Sequence, residues 1–266
     1  MRLRRASLAC TAAGLLLLAG CGGSGSSGGT ASAGTSTSVS AAGSTSASTG
    51  ASTSTASGGG GGGKAGCPSV GKAIPQGAQS KPTVDVDGDG RPDTEWIATT
   101  TDADGGVPFG IRTASGAVFS STIRSASPIA RSVMFADVTG KGEIIALASD
   151  GRQVLLYAVS DCQLITEKNK QGQQYAFDLG FTGFGTGVGC VDANGDGTTD
   201  LVGLKYVPEN QGTGTIKRTI VTLSGPNARN GATDTVPVTR ASLAEEAQMV
   251  GCGDQTLAAN GVTSGP

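Results

Sequence analysis

Seven of the 21 acidic residues in this 266-residue chain fall within two nine-residue windows. The first reads Asp85-Val86-Asp87-Gly88-Asp89-Gly90-Arg91-Pro92-Asp93, and the second Asp192-Ala193-Asn194-Gly195-Asp196-Gly197-Thr198-Thr199-Asp200. Both obey D-x-[DN]-x-D-G-x-x-D. The chemistry open to such a string is capture of a hard cation. A tight loop turns the side chains at positions 1, 3 and 5 toward one centre, and Ca2+ takes about six to eight oxygens at about 2.3–2.6 Å. Glycines at positions 4 and 6 permit the positive φ angles that the wrap requires. Position 7, Arg91 or Thr198, offers a backbone carbonyl, and Asp93 or Asp200 at position 9 closes the shell. An oxygen-only set selects Ca2+ over softer metals. The expected ligands are therefore Asp85, Asp87, Asp89, Arg91 and Asp93 in one loop, and Asp192, Asn194, Asp196, Thr198 and Asp200 in the other. The competing reading is a pair of Asp/Gly turns that hold no ion.

Strands must carry these loops. The residues that follow them, Thr94–Thr100 and Leu201–Tyr206, are short, apolar or β-branched runs of the kind that form strands. Phe135-Ala136-Asp137-Val138-Thr139-Gly140-Lys141-Gly142 repeats the loop opening with Thr139 and Lys141 where carboxylates should stand. It is expected to be metal-free, with Lys141 placing its ammonium where a cation would sit. A fourth opening, Val250-Gly251-Cys252-Gly253-Asp254, decays at once. The starts at 85, 137, 192 and 254 are 52, 55 and 62 residues apart, a period suited to units of four strands. The strand pattern places the first unit at 94–100, 107–113, 117–123 and 131–136. The second falls at 143–148, 153–159, 162–167, about 173–178 and 187–191, and the third at 200–206, 215–223, 233–238 and 248–252. A single helical turn is a candidate at 242–247.

Composition removes several functions. There is no histidine, so Ser-His-Asp and Cys-His catalysis and imidazole metal sites are excluded. Aromatic residues are 4% of the chain, and no basic run follows residue 5, so no nucleic acid is expected as a partner. Paired acids such as Asp102/Asp104 and Glu245/Glu246 lie too close in sequence to face each other across a cleft, as glycosidase carboxylates do. Trp96, Tyr157, Phe177 and Tyr206 fall in apolar strand runs and read as packing, and Lys168 and Lys170 as solvated turn residues.

The N-terminal quarter has another logic. Met1–Arg5 is basic, Ala9–Ala19 is apolar, and residues 22–63 contain only Gly, Ser, Thr and Ala apart from Val39. The apolar stretch is too short to cross about 30 Å of hydrocarbon, so it reads as a leader and not an anchor. The 42-residue tether cannot bury apolar surface, so disorder is expected, with a root-mean-square span of about 35–40 Å. The expected division is a leader at 1–20, an anchor and linker at 21–66, and one β domain at 67–266. Of the six cysteines, Cys10 is in the leader and Cys21 follows it. Cys67, Cys162, Cys190 and Cys252 remain, an even set that implies two disulfides with three connectivities in an exported domain. Cys190 and Cys252 occupy matching places in two repeats, which favours Cys190–Cys252 and hence Cys67–Cys162.

Two family resemblances follow from these strings. Leu18-Ala19-Gly20-Cys21 resembles the lipobox of bacterial lipoproteins, which implies a lipid on Cys21, cleavage before it, and an extracytoplasmic domain anchored to the bacterial cell membrane. The stretch Phe184–Gly203 resembles the FG-GAP/VCBS repeat of integrin-like β-propellers. EF-hands fit less well, because Trp96 and Gly203 stand where a bidentate Glu is needed. Dockerin-like loops lead into helices, and thrombospondin-type repeats carry denser cysteines. The resemblance implies an all-β fold, a small or partial propeller of about three to four four-stranded blades with Ca2+ loops. Residues 67–84 would complete the last blade, or a second copy would close the ring. The function implied is a non-enzymatic, membrane-tethered binding or scaffold module for a polysaccharide, a cell-wall component or another exported protein. The alternatives are a carbohydrate-active enzyme on a propeller scaffold and a homo-oligomerising structural module.

Overall fold

The computed structural model describes residues 66–69, 73–180, 185–209 and 213–265. The expected leader at 1–20, the expected lipid site Cys21, the expected linker at 22–63 and Phe184 of the expected repeat lie outside the described residues.

The chain is all-β, built of antiparallel sheets, none of them closed. The first sheet is a meander of β1 (Gln79–Pro82), β2 (Thr94–Ile97), β3 (Val107–Arg112) and β4 (Val118–Ile123). The second contains β5 (Ser132–Asp137), β6 (Ile144–Ser149), β7 (Gln153–Ser160) and β8 (Gln163–Thr166), with β9 (Ala176–Asp178) added to β7. The third is β10 (Thr186–Val191), β11 (Asp200–Pro208), β12 (Gly214–Ser224) and β13 (Asn227–Pro237). A short helix, α1 (Ala241–Glu246), follows, then a hairpin of β14 (Gly251–Cys252) and β15 (Gln255–Thr256), and finally β16 (Val262–Thr263).

The elements fall close to their expected positions, but the repeat is phased differently. Each acidic loop joins the first and second strands of one sheet, so 132–137 and 186–191 open their sheets and do not end the preceding ones. The reason is pairing. Asp137 lies opposite Ile144, and Val191 opposite Asp200. A tight wrap returns the chain antiparallel to the strand it has just left. Residues 79–82 likewise belong to the first sheet, with Ser80 opposite Trp96, and do not complete a last blade. Instead the C-terminal β16 adds to the free side of β5, Val262 opposite Val133. β13 starts six residues earlier than the expected 233, because Gly225 at φ 56° lets Ser224 pair with Asn227.

The second sheet is the middle layer. All six residues of β6 are buried, and its side chains alternate with the period of two that a strand imposes. Ile145 and Leu147 join Met134, Leu156, Val188 and Leu201 in the cluster facing the third sheet. Ile144, Ala146 and Ala148 join Phe109, Ile111, Ile123 and Tyr157 on the side of the first sheet. Phe109 and Tyr157 meet edge to face at 5.2 Å. On its far side the third sheet carries Ile216 and Leu204, which pack on Val238, Ala244 and Ala247 around α1. Gly187 makes that seat possible, since a Cβ there would stand 2.4 Å from the Met249 carbonyl oxygen and 2.6 Å from that of Ala247. Gly187→Val is expected to lift α1 and destabilise the domain by about 2 kcal/mol, read as a lower denaturation midpoint. An unchanged midpoint would show that the turn after α1 does not depend on this approach.

Two carboxyl groups are enclosed by this stacking. Glu95 of β2 is 1% exposed, and its Oε2 accepts from the Phe135 N–H at 2.9 Å, while Oε1 has no partner. Glu167, just after β8, is 0% exposed, and neither of its oxygens has a partner. Burial raises each pKa from the ordinary range near 4.5 to about 7, because a charge is costly away from water.

Candidate metal centre

The β1–β2 connection holds the first loop, and its carboxylates have different jobs. Asp85 Oδ1 accepts from the N–H groups of Gly88 (2.8 Å) and Asp89 (3.2 Å), and Oδ2 from that of Gly90 (2.7 Å). Gly88 and Gly90 take φ of 75° and 85°, as the wrap requires. Asp93 is 2% exposed, and its two oxygens accept from the N–H groups of Val86 (2.7 Å) and Ala114 (2.8 Å). Its burial pushes its pKa up. Asp89 accepts from the Arg91 N–H at 2.9 Å, and the Arg91 guanidinium pairs with its Oδ2 through Nε at 3.1 Å and Nη2 at 2.5 Å. That side-chain hydrogen bond holds the Asp89 carboxyl below its ordinary range. Asp87 Oδ2 accepts from the N–H of Cys67 at 2.7 Å, while Oδ1 is buried and has no partner.

Carboxylate oxygens of Asp85, Asp87 and Asp89 lie within 4.8 Å of one another, and among the described residues this is the one such acidic or thiol group. Asp93 is outside that triad and braces the loop from beneath. Arg91, expected to serve through its carbonyl, presents its guanidinium as a counter-ion for Asp89. The three clustered side chains fit a hard cation. An unpartnered buried carboxylate oxygen costs free energy, and Asp87 Oδ1 can bind an ion without giving up a hydrogen bond.

The β10–β11 loop repeats the first position closely. Asp192 Oδ1 accepts from Gly195 (2.7 Å) and Asp196 (3.1 Å), and Oδ2 from Gly197 (3.0 Å). Gly195 and Gly197 have φ of 81° and 82°. Asp200 Oδ2 accepts from the Ala193 N–H at 3.1 Å, the place Asp93 takes with Val86. Asn194 turns inward: its Nδ2 donates to Asp196 Oδ2 at 3.0 Å, and its Oδ1 accepts from the Asp196 N–H at 2.9 Å. The Thr198 N–H donates to Asp196 Oδ1 at 2.8 Å.

The third loop shows which position the turn itself needs. Asp137 keeps the same office, accepting from Gly142 (2.7 Å), Thr139 and Glu143 (both 3.2 Å). An aspartate at position 1 therefore folds the turn, and positions 3 and 5 are free to change. The Lys141 ammonium does not occupy its own loop. It reaches across to Thr198 Oγ1 at 3.1 Å, and the Thr199 hydroxyl donates to the Val138 carbonyl, so the second and third sheets meet at their loops. Asp137 to Ala, which strips three N–H groups of their acceptor, is expected to cost about 1–3 kcal/mol whatever the calcium concentration. A calcium-dependent loss would refute its assignment as a turn-former.

The other acids considered for chemistry sit apart. Asp102 Oδ1 closes the β2–β3 turn by accepting from Asp104 (3.0 Å) and Gly106 (2.8 Å), and Arg124 lies 3.3 Å from Asp104. Glu246 lines a cleft of about 500 Å3 between the third sheet, α1 and the β14–β15 hairpin, whose apolar side includes Leu204, Ile216 and Leu243. All four cysteines pair as the repeats suggest: Cys67 with Cys162 and Cys190 with Cys252. Spacing gave no signal for the contacts of Cys67 with Asp87, Ala114 with Asp93, or Lys141 with Thr198, which join residues 20 to 57 positions apart. Comparison of the chain with family models, with curated proteins and with solved structures finds no match.

Proposed function

We propose that this chain is a membrane-tethered binding or scaffold module on the outside of a bacterial cell, held by a lipid on Cys21. Its β domain acts as a small, partial propeller with FG-GAP/VCBS-type loops that use Ca2+ for structure. Two four-stranded sheets and the six-stranded sheet between them support this reading. Each carries an aspartate loop in the same hairpin, and the sheets stack face to face through the middle one. The tether supplies reach, and the partner is a surface polysaccharide, a cell-wall component or another exported protein.

The observation that carries the metal reading is the Asp85–Asp87–Asp89 cluster with its orphaned Asp87 oxygen. Asp87 and Asp89 would hold the ion, with Asp85 contributing an oxygen beyond its turn bonds. Asn194, Asp196 and Asp192 take those places in the second loop. Bound Ca2+ supplies charge that cancels the mutual repulsion of the carboxylates and fixes the strand entry. Without it, the Arg91 guanidinium is the cation paired with Asp89.

Melting curves in excess EDTA and in millimolar CaCl2 test this. Stability should rise by about 2.7 kcal/mol when free metal is 100-fold above its dissociation constant, and the gain should shrink in Asp87→Asn. Sites of extracellular modules bind at about 10⁻⁴–10⁻³ M, so the titration must extend to tens of millimolar. Coincident curves for the wild-type chain would remove the metal from the proposal.

A further inference from the structure

The residues just ahead of the first sheet form one wall of the first loop. Cys67 is 4% exposed; its N–H donates to Asp87 Oδ2 at 2.7 Å, and its carbonyl accepts from Ser115 Oγ at 2.5 Å. Its sulfur is bonded to that of Cys162, 95 residues further on, at the β7–β8 turn of the second sheet. Gly66 lies against the same carboxylate, where a Cβ would stand 2.7 Å from Asp87 Oδ2 and 3.0 Å from Asp89 Cβ. Asp87 is thus held from outside its own loop by an amide whose position is fixed covalently to another sheet.

The second loop has no counterpart to this hold. Asn194, at the position matching Asp87, makes its bonds to Asp196 and Asp200 inside the loop. Cys190 and Cys252 are paired near that loop, but no hydrogen bond from either backbone reaches Asn194 among those described.

We propose that the Cys67–Cys162 disulfide is a positioning element for the cation site of loop 85–93. It keeps the Cys67 N–H on Asp87 Oδ2 and so holds the Asp87 carboxylate beside those of Asp85 and Asp89. The inference rests on the calcium reading above. With one oxygen anchored, the carboxylate is pre-organised and the ordering cost of binding is already met. Released from the amide, Asp87 turns away from its two like-charged neighbours. Metal affinity at this loop and resistance of this disulfide to reduction are then two sides of one coupling, and each changes the other by the same factor. The device locks the domain's entry only where the surroundings are both oxidising and rich in calcium.

Calorimetric titration of the purified chain with CaCl2, wild type against the double variant Cys67→Ser/Cys162→Ser, tests the coupling. Binding at loop 85–93, identified as the heat lost in Asp87→Asn, is expected to weaken by about five- to tenfold or more, with loop 192–200 unchanged. A second measurement does not depend on the double variant folding. In the wild type, the dithiothreitol concentration that opens Cys67–Cys162 should rise with CaCl2 relative to EDTA. Cys190–Cys252 should not shift, and the effect should vanish in Asp87→Asn. Gly66→Ala, with both disulfides intact, should weaken the same site by crowding Asp87. Equal affinities in wild type and double variant, or a reduction midpoint blind to calcium, would overturn the coupling while leaving the calcium reading intact. Absence of binding heat in the wild type would overturn both.

Discussion

Opening both disulfides is expected to unfold the β domain. Cys67–Cys162 spans 95 residues and Cys190–Cys252 spans 62, and closing loops of that length removes about 4–5 kcal/mol each from the freedom of the unfolded chain. The two spans do not overlap, so their contributions should add. Together they amount to about 9 kcal/mol, against a typical domain stability of about 5–15 kcal/mol. The structure gives the links work beyond entropy, because none of the sheets is closed. Cys67–Cys162 ties the lead-in of the first sheet to the second, and Cys190–Cys252 ties β10 to the β14–β15 hairpin. Guanidinium unfolding of the chain with and without reductant measures this. A midpoint that moves by less than the equivalent of 2 kcal/mol would show that the stacked cores suffice.

The second large effect is a loss of stability as pH rises. Glu95 and Glu167 have pKa values near 7 in the fold and near 4.5 when exposed. The folded chain therefore binds more protons than the unfolded chain between those limits. Their contribution is complete below pH 4.5 and falls as pH climbs to about 7, beyond which both must be buried as ions. A difference of this size corresponds to about 3 kcal/mol per group. Lys81 lowers the Glu95 pKa by its charge but less than burial raises it. Glu167 has burial alone acting on it. The chain has no histidine to titrate within this window. Denaturation midpoints between pH 4.5 and 8 in EDTA should fall steadily, and Glu95→Gln with Glu167→Gln should flatten the curve. A flat wild-type profile would mean that water reaches both carboxyls.

Several features of this molecule are local enough to be legible without coordinates. The aspartate at position 1 and the glycines at positions 4 and 6 make a turn whose every bond lies within six residues, so Asp85 and Asp192 could be placed from spacing alone. The apolar run Ile144–Ala148 and the Asp150-Gly151 turn after it likewise announce a hairpin. The matched places of Cys190 and Cys252 in two repeats favoured the pairing that the four cysteines adopt, and Val188 and Val250, two residues before each, are bridged side by side. An all-β chain with aspartate loops between its strands was determined at that level.

Which strand joins which sheet was not. The strand before each loop pairs with the strand after it, β16 travels back to β5, and 79–82 opens the first sheet. Such choices depend on main-chain groups that every residue shares, so side-chain pattern carries no record of them. The same holds for the wall that Gly66 and Cys67 raise beside Asp87, for Lys141 reaching Thr198, and for the enclosure of Glu95 and Glu167 between layers. Spacing names the residues able to grip an ion or a proton. Only stacking of the sheets decides which of those oxygens are left without a partner and away from water.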